Sequence, residues 1–266
     1  MKTIQELLRF TEKFHDKIHR FCQPLINCFG INEFDHCILS NSGKWTGVNL
    51  KRAWAEHYFS QSFHLVDPSM RHPNNFQSGV IFSKEIDDED TNIILHSAKT
   101  KFNVHLNLVL SNKTNTGIEF FIFGTANAYQ SVKLYNELPM LRLFIKRFKE
   151  EFHSLYRDLD DYQVDVASLI GPSFQKLNIQ LFTEQRNHHR FLQEMGIETL
   201  ANLSNREKDV AKCLTKGYTA SQISKELFIS TRTIEHHLEH LKDKLDCFSK
   251  SELIQKVLEL DSIGYF

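Results

Sequence analysis

Two helix-start signals of the same kind lie close together near the C-terminus, and they constrain the fold more than any other feature. Ser204 with Glu207, and Thr219 with Gln222, have the spacing of a capping box. In a capping box a hydroxyl satisfies a free amide in the first helical turn, and the residue three positions later reaches back to the amide of the cap. Each pair therefore predicts the start of a helix, and the first of the two helices must be short.

A third helix is predicted to follow the second after a tight turn. Gly217 lies where the end of the first helix needs a positive φ, and Ser230 restarts the chain. Apolar residues at helical spacing give the third helix a buried face: Ile234, Leu238, Leu241 and Leu245. Three short helices with the second and third nearly abutting form helix-turn-helix geometry, which docks a helix in the major groove of DNA.

Residues 203–245 closely resemble the DNA-binding domain of the LuxR family of bacterial transcription regulators. The matching residues at fixed spacing are Leu203, Ser204, Arg206, Glu207, Val210, Gly217, Ile223, Leu227, Ser230, Thr233, Ile234, Glu235, His237, Lys244 and Leu245. The resemblance implies a fourth helix, which that family often uses to dimerise, and Leu253, Val257 and Leu260 supply an apolar edge for one. We therefore predict an all-α helix-turn-helix domain of four helices over residues 200–266.

The resemblance also implies where this domain contacts its expected partner, double-stranded DNA. Glu235, His236 and Glu239 fall at base-reading positions, where glutamate can accept from cytosine N4 and histidine can address guanine or a phosphate. Candidate phosphate contacts, which position the domain without reading sequence, are Ser230, Thr231, Arg232, Thr233, Lys242 and Lys244. Residues 201–266 hold ten Lys or Arg and ten Asp or Glu, so phosphate affinity must come from local placement of charge.

The region before residue 163 has the pattern of a sheet covered by helices. Helical spacing predicts a first helix from Ile4 to Phe21, which Pro24 ends. Strand-like segments follow at 34–39, 79–82, 102–110 and 118–123, and the last two form a hairpin around the turn at 115–117. We predict an α+β fold whose N-terminal domain, residues 1–162, is an α/β/α sandwich with a mostly antiparallel sheet of the PAS/GAF-like kind.

A heptad seam closes this region, and residues 163–199 follow it. The seam steps by three and four along one helix: Leu138, Leu141, Ile145, Phe148, Phe152, Leu155 and Leu159. It can pack on its own sheet or form part of a dimer interface, and the sequence leaves both alternatives open. Residues 163–199 are more polar and are broken by Gly171 and Pro172, so we interpret them as a connecting helical linker.

An N-terminal motif resembles the class of LuxR regulators that sense acyl-homoserine lactones. Trp54, Tyr58 and Asp67-Pro68 match the order and approximate spacing of that class's signature. The resemblance implies that the indole N–H donates to a lactone carbonyl, the phenol bonds an amide carbonyl, and the carboxylate accepts from an amide N–H. Candidate apolar walls for an acyl chain are Phe63, Phe82, Phe102, Phe121 and Phe123. Ordinary core packing is the alternative reading of all these residues.

Departures from that class leave two hypotheses open. The class has a second tryptophan where this chain has Phe82 and Ser83. The class also has a glycine just before the long strand, and none is present in the local sequence Lys101-Phe102-Asn103-Val104-His105. The first hypothesis is a homodimeric quorum-sensing regulator whose domain is ordered by a lactone or related small-molecule signal. The second is a LuxR-type regulator that binds no lactone, because its pocket is closed or takes a different metabolite, and that responds to concentration or a protein partner.

Composition and motif content exclude several other classes. The chain has no apolar run long enough to span a membrane, no signal-peptide pattern, and five scattered cysteines, so we expect a reduced cytoplasmic protein without a membrane partner. The acidic run at 87–90 does not follow a buried parallel strand, which argues against a phosphoacceptor receiver domain. No G-x-S-x-G, P-loop or metal-ligand cluster is present. We therefore expect no catalytic residues, no metal site and no resident cofactor.

Overall fold

The computed structural model describes residues 3–82, 89–176, 191–262 and 264–266. The chain divides into two compact units, residues 1–181 and 182–266, which we call the sheet domain and the helical domain. Among the described helices, none is both long and apolar enough to cross a membrane.

One antiparallel sheet of six strands forms the centre of the sheet domain. Its strands are β1 (Ile31–Ser40), β2 (Lys44–Asn49), β3 (Gly79–Ile81), β4 (His105–Lys113), β5 (Gly117–Thr125) and β6 (Val164–Asp165). They pair in the order β3-β4-β5-β1-β2-β6, and every pairing is antiparallel. The predicted sheet is therefore confirmed.

The hairpin of β4 and β5 is confirmed as well, but its first strand starts later than the alternating pattern predicts. Lys113 pairs with Ile118 across the turn. Phe102 instead ends a helix, and Asn103 has a φ of 51°, so the chain turns there before the strand begins at His105. An asparagine tolerates this left-handed conformation better than most residues, and the apparent alternation of Phe102 with Val104 is a coincidence of spacing.

Helices cover both faces of the sheet. They are α1 (Ile4–Glu12), α2 (His15–Phe29), α3 (Arg52–Ser60), α4 (Glu89–Phe102), α5 (Ser131–Asn136), α6 (Leu138–Glu151), α7 (His153–Leu159) and α8 (Val166–Ile170). Phe34 of β1 packs on Phe148 of α6, with ring centroids 5.0 Å apart. On the opposite face Trp45 of β2 packs on Phe59 of α3 at 5.3 Å. This layering confirms the predicted α/β/α sandwich.

The N-terminal helix differs from the prediction at Pro24. The predicted single helix is two helices, α1 and α2. Pro24 lies inside α2, which continues to Phe29. A proline inside a helix removes one backbone hydrogen bond. Here the buried side chains on either side of it, Cys22 and Leu25, tie this part of α2 to the core, so tertiary packing overrides the local preference.

The heptad seam lies against the domain's own sheet. Five of its seven side chains are fully buried in the core of the sheet domain: Leu141, Phe148, Phe152, Leu155 and Leu159. Leu138 and Ile145 are half-buried against the same core. The helix also ends at Glu151 and restarts at His153, so the seam is shared between α6 and α7. The buried seam residues are therefore not free to form a dimer interface.

The sheet domain extends beyond the predicted boundary at residue 162. Val164 and Asp165 form β6, which pairs with Trp45 and Lys44 of β2. Val166 and Phe174 are buried in the same core. Residues 164–176 therefore belong to this domain and not to a linker, and the short strand escaped prediction because two residues carry no readable period. Residues 177–190 of the predicted linker lie outside the described residues.

The helical domain has its own apolar core. Its helices are α9 (Glu198–Ala201), α10 (Asn205–Thr215), α11 (Ala220–Leu227), α12 (Thr231–Lys244) and α13 (Lys250–Ser262). Val210, Ile223, Ile234 and Val257 are each fully buried and come from four different helices. The three predicted helices and the fourth that the resemblance implies are all present.

Candidate functional site

The starts of α10, α11 and α12 are fixed by caps at residues that the sequence analysis singles out. The amide of Glu207 donates to Ser204 Oγ at 3.2 Å, and Ser204's amide donates to Glu207 Oε2 at 2.7 Å. Thr219 and Gln222 form the second box with the same pair of bonds. Ser230 Oγ accepts from the Thr233 amide at 3.1 Å and so caps α12. Gly217 has a φ of 74° at the end of α10.

One face of α12 is buried and the other is open to solvent. Ile234 and Leu241 have no solvent exposure. Because side chains three or four positions apart share a helix face, this burial fixes the outward direction of the remaining positions. Exposed residues on the helix and its cap include the following predicted DNA contacts: Ser230, Thr231, Arg232, Thr233, Glu235, His236 and Glu239. The fold thus presents the predicted base-reading and phosphate-contacting residues together.

Two of the predicted phosphate contacts already have acidic partners. Lys244 Nζ lies 2.8 Å from Glu207 Oε2 and donates to the Asn202 carbonyl at 3.0 Å. Lys242 Nζ lies 2.7 Å from Glu239 Oε2. Lys244 therefore holds the end of α12 against the start of α10, which is a positioning role. Lys242 places a positive charge beside Glu239, a predicted base contact.

Glu207 is the one buried charge at the junction of these helices, and the sequence pattern identified it only as a cap. Its exposure is 2%. Burial alone raises the pKa of a carboxyl group, but hydrogen bonds from Lys244 and the Ser204 amide outweigh it and hold the pKa of Glu207 below its ordinary value. His240 Nδ1 lies 3.8 Å away on the other carboxylate oxygen. The carboxylate thus fixes α12 relative to α10.

In the sheet domain, the predicted polar ligand contacts lie together but bond to each other. Tyr58 Oη donates to Asp67 Oδ2 at 2.6 Å, and the Ser69 amide donates to Asp67 Oδ1 at 2.7 Å. Burial and the charge of Asp67 raise the pKa of Tyr58 well above its ordinary value. A phenol has one hydrogen to donate, so in this arrangement Tyr58 can offer a ligand only its oxygen lone pairs.

The predicted apolar walls do not all surround Trp54. Trp54 is buried, and its ring lies 6.5 Å from Phe63 and 5.6 Å from Phe102. Phe121 and Phe123 instead pair with His36 and Phe34, on the sheet face that α6 covers. Phe82 contacts Tyr135 of α5, with ring centroids 5.9 Å apart. Phe121 and Phe123 therefore cannot line a pocket with Trp54, because the register of β5 turns them to the other side.

Two buried carboxyl groups on the Tyr58 side of the sheet were missed by sequence reasoning. Glu33 is fully buried and Asp35 is 6% exposed. Asp35 Oδ1 accepts from Asn49 Nδ2 at 2.6 Å, and Glu33 Oε1 accepts from the Lys51 amide at 3.0 Å. Burial raises the pKa of Asp35 to about 6 and that of Glu33 well above its ordinary value. Their i, i+2 spacing within a strand was the available signal.

Two clefts lie along α4, away from these polar groups. One, of about 520 Å³, is lined by Glu89, Asn92, Ile93 and His96. The other, of about 190 Å³, is lined by Leu95, His96, Lys99, His105, Leu106 and Ala128. Neither cleft is lined by Trp54, Tyr58 or Asp67.

Four packed helices, the third of them capped after a tight turn and open on its outer face, define a helix-turn-helix DNA-binding domain. Residues 201–257 match the GerE family, described as bacterial regulatory proteins of the luxR family. The helical domain is therefore a LuxR-family DNA-binding domain, as the sequence resemblance predicts.

Similar proteins include oxygen regulatory proteins of staphylococci. The protein NreC of Staphylococcus haemolyticus is 34% identical over 84 residues, which cover 32% of this chain and 39% of that protein. NreC of Staphylococcus carnosus is 39% identical over 57 residues, covering 21% of this chain and 26% of that protein. The chain thus spans between a quarter and two fifths of the length of these relatives.

A solved structure resembles the chain along most of its length, but distantly. The crystal structure of Escherichia coli SdiA covers 98% of this chain and 96% of its own, at 18% identity and a TM-score of 0.37. A likeness of this size does not transfer a ligand or an assembly to this chain.

Proposed function

We propose that the protein is a cytoplasmic DNA-binding transcription regulator of the LuxR type that acts as a homodimer. The observation that carries the proposal is the outer face of α12, where Glu235, His236 and Glu239 lie exposed above a fully buried stripe. Dimerisation would place two α12 helices about one DNA turn apart on a palindromic site. Leu258 of α13, 46% exposed, is an apolar side chain that a second copy can cover.

In the proposed complex, α12 lies in the major groove with its capped end toward the DNA backbone. Arg232 and the hydroxyls of Ser230, Thr231 and Thr233 contact phosphates and set the register. The N-terminus of a helix favours an anion because its free amides and dipole point toward it. Glu235, His236 and Glu239 then face base edges and supply sequence preference.

The test is selection of binding sites from a randomised duplex library, followed by affinity measurement on single-base variants of the selected site. Glu235→Ala is expected to remove about 1–3 kcal/mol of discrimination at one base pair of each half-site. Glu226→Ala, at an exposed glutamate of α11, is the matched control and should leave discrimination unchanged. A uniform loss of affinity across all sequences with Glu235→Ala would contradict the placement of α12 in the groove.

We further propose that the sheet domain is a sensor for a small-molecule signal, which makes quorum sensing one candidate role. The neighbouring positions of Trp54, Tyr58 and Asp67 support this proposal. The alternative, a regulator that binds no lactone, is favoured by one observation: Tyr58 donates its hydrogen to Asp67 and so does not present it to a ligand carbonyl.

Thermal unfolding of the full chain with a panel of acyl-homoserine lactones separates these two candidates. A ligand that binds only the folded state raises the unfolding midpoint in a saturable way. A rise with one acyl length supports a lactone receptor. An unchanged midpoint with the whole panel supports the alternative.

A further inference from the structure

The histidines at the C-terminal end of the chain are concentrated on one helix. Residues 201–266 contain His236, His237 and His240, and all three lie on α12. The same residues hold ten Lys or Arg and ten Asp or Glu, so they carry no net charge while the imidazoles are neutral. An imidazole changes its charge between about pH 5 and pH 8. Protonation of these rings therefore gives the segment net positive charge near neutral pH, and places that charge on the helix proposed to enter the groove.

His236 and His240 form a pair on the outer face of α12. They are four residues apart and share a helix face, and their ring centroids lie 4.0 Å apart. Both residues are exposed, whereas His237 is half-buried beside the apolar stripe. His240 thus lies one turn further along the face that presents His236, although the sequence analysis did not include His240 among the DNA contacts.

The neighbouring helix α10 brings a carboxylate to this pair. Glu207 Oε1 lies 3.8 Å from His240 Nδ1. The pKa of Glu207 is held below its ordinary value, so this carboxylate is ionised near neutral pH and favours a proton on His240. Lys244 bonds to the other carboxylate oxygen at 2.8 Å and offsets part of its charge. Within the part of the chain that the structure describes, α11 and α13 contribute no ion pair to either ring.

The charges of α12 itself are mixed around the pair. Arg232 and Glu239 lie one turn to either side of His236, and Glu239 is paired with Lys242 at 2.7 Å. Glu235 and Asp243 are exposed on the same helix. Two imidazolium rings at the observed separation repel each other, because a like charge nearby disfavours the charged form. The free protein therefore resists placing a second proton on the pair until negative charge arrives from outside.

Duplex DNA supplies that negative charge. It carries one phosphate charge per about 1.7 Å of helix axis, and an opposite charge close to an imidazole favours its protonated form. When α12 lies in the groove, phosphates beside the pair offset the repulsion between the two rings. Binding then takes up protons, and an equilibrium that takes up protons is strengthened as pH falls.

We propose that His240 is a further phosphate contact and that it forms with His236 an imidazole pair which takes up about one proton when the protein binds DNA. This inference rests on the proposed placement of α12 in the major groove, and it adds a contact and a pH dependence to that site. DNA affinity is accordingly higher at pH 6 than at pH 8.

The experiment measures the affinity of the full chain for its selected DNA site from pH 6 to pH 8, at several salt concentrations. A chelator is present throughout, since two histidines four apart on a helix can also bind a metal ion. In the wild type, affinity should rise roughly three- to tenfold for each pH unit removed. The plot of log affinity against log salt concentration should be steeper at pH 6 by about 0.9, which corresponds to one more neutralised phosphate.

Three variants assign the effect to the pair. His240→Gln cannot take up a proton and should lose most of the rise in affinity at low pH. His240→Lys carries a permanent positive charge, so its affinity at pH 8 should approach that of the wild type at pH 6. His153→Gln, at an exposed histidine of α7, is the matched control and should keep the pH dependence of the wild type.

Other outcomes overturn the inference and separate it from the proposed function. Equal affinity at every pH, from a chain that selects a DNA site, contradicts proton uptake and leaves the DNA-binding proposal intact. An unaltered pH dependence in His240→Gln, at an unchanged thermal midpoint, removes His240 from the interface. A pH dependence that is seen only without the chelator assigns the pair to a metal ion instead. Failure to select any site at any pH contradicts the DNA-binding proposal itself.

Discussion

The two domains of this chain place their polar groups in opposite ways. Among the described residues of the helical domain, Glu207 is the buried charged side chain in an otherwise apolar core, and it has a lysine partner and a capping role. In the sheet domain Glu33, Asp35 and His36 are all buried within the sheet. Burying charged groups costs stability unless they are paired. The helical domain is therefore built for a stable shape with its function on the outside, whereas the sheet domain keeps polar chemistry in its interior.

This difference indicates where each domain can bind a partner: on its surface in the helical domain and in its interior in the sheet domain. An outer helix face reads DNA without any change to the core beneath it. Buried polar groups are expected in a domain that binds a small molecule in its interior. Substitutions in the two domains sharpen or break this contrast.

Removing a core side chain of the helical domain should have the largest effect. Leu241→Ala deletes a fully buried side chain of α12 and is expected to destabilise this domain by about 2–5 kcal/mol. Met195→Ala, at a position before α9 that is 58% exposed, is the control with little expected change. Hydrogen exchange at increasing denaturant concentration measures the loss of unfolding free energy in each domain separately. Equal loss of protection in the sheet domain would show that the two units do not unfold separately.

The ion pair of Glu207 and Lys244 should come next. Lys244→Ala leaves a buried carboxylate without its cation and is expected to cost about 1–3 kcal/mol. Lys242→Ala removes only the contact with the exposed Glu239 and serves as the control. If Lys244→Ala lowers DNA affinity while its unfolding free energy stays unchanged, Lys244 contacts a phosphate and does not stabilise the fold.

The same pair predicts a dependence on acid. Because the folded pKa of Glu207 is depressed below the ordinary value of 4.5, its contribution to stability is present above that value and is lost as pH falls through the folded pKa. Unfolding free energy measured from pH 6 downward should therefore decline less steeply in Lys244→Ala than in the wild type. Parallel curves for the two proteins would count against the pairing.

The bond between Tyr58 and Asp67 tests the sheet domain on a smaller scale. Asp67→Asn leaves a single side-chain oxygen for the two donors, Tyr58 and the Ser69 amide, and should cost about 1 kcal/mol. Tyr58→Phe and the double variant complete a cycle measured by urea unfolding. A coupling energy close to zero would mean that this contact does not stabilise the sheet domain.

Phe228 should show the smallest effect, with the opposite sign. It ends α11 with a φ of 55° and is 85% exposed. Its left-handed backbone is therefore strained, and its ring buries little apolar surface that could offset the strain. Phe228→Gly is expected to stabilise the helical domain by about 1 kcal/mol or less, since glycine adopts this conformation freely but loses more entropy on folding. Gly217→Ala, at a φ of 74°, should destabilise it. A destabilised Phe228→Gly would reveal a packing role for the ring.

Prediction from sequence succeeded where local chemistry decides the structure. Ser204, Thr219 and Ser230 each cap a helix through atoms at most three residues away, so the helical domain could be outlined residue by residue. The α/β/α layering also followed from periodicity. The contact residues for DNA and ligand remain predictions, although the structure places those of α12 together.

The failures involve contacts between distant segments. Pro24 stays helical because its neighbours are buried, and Val164 joins the sheet because β2 is there to pair with it. Phe121 was predicted to share a wall with Phe63, but the register between β1 and β5 turns it to the opposite face. None of these relations is encoded within a few residues, so no local pattern could have indicated them.

The outermost strands of the sheet are its shortest, with three residues in β3 and two in β6. A long exposed edge is a template on which another chain can add a strand, and short edge strands are one way in which proteins limit such aggregation. Cutting the chain at residue 163 would remove β6 and leave the six residues of β2 as the new edge. An isolated sheet domain ending there is expected to precipitate or form fibrils more readily than one that extends through residue 176.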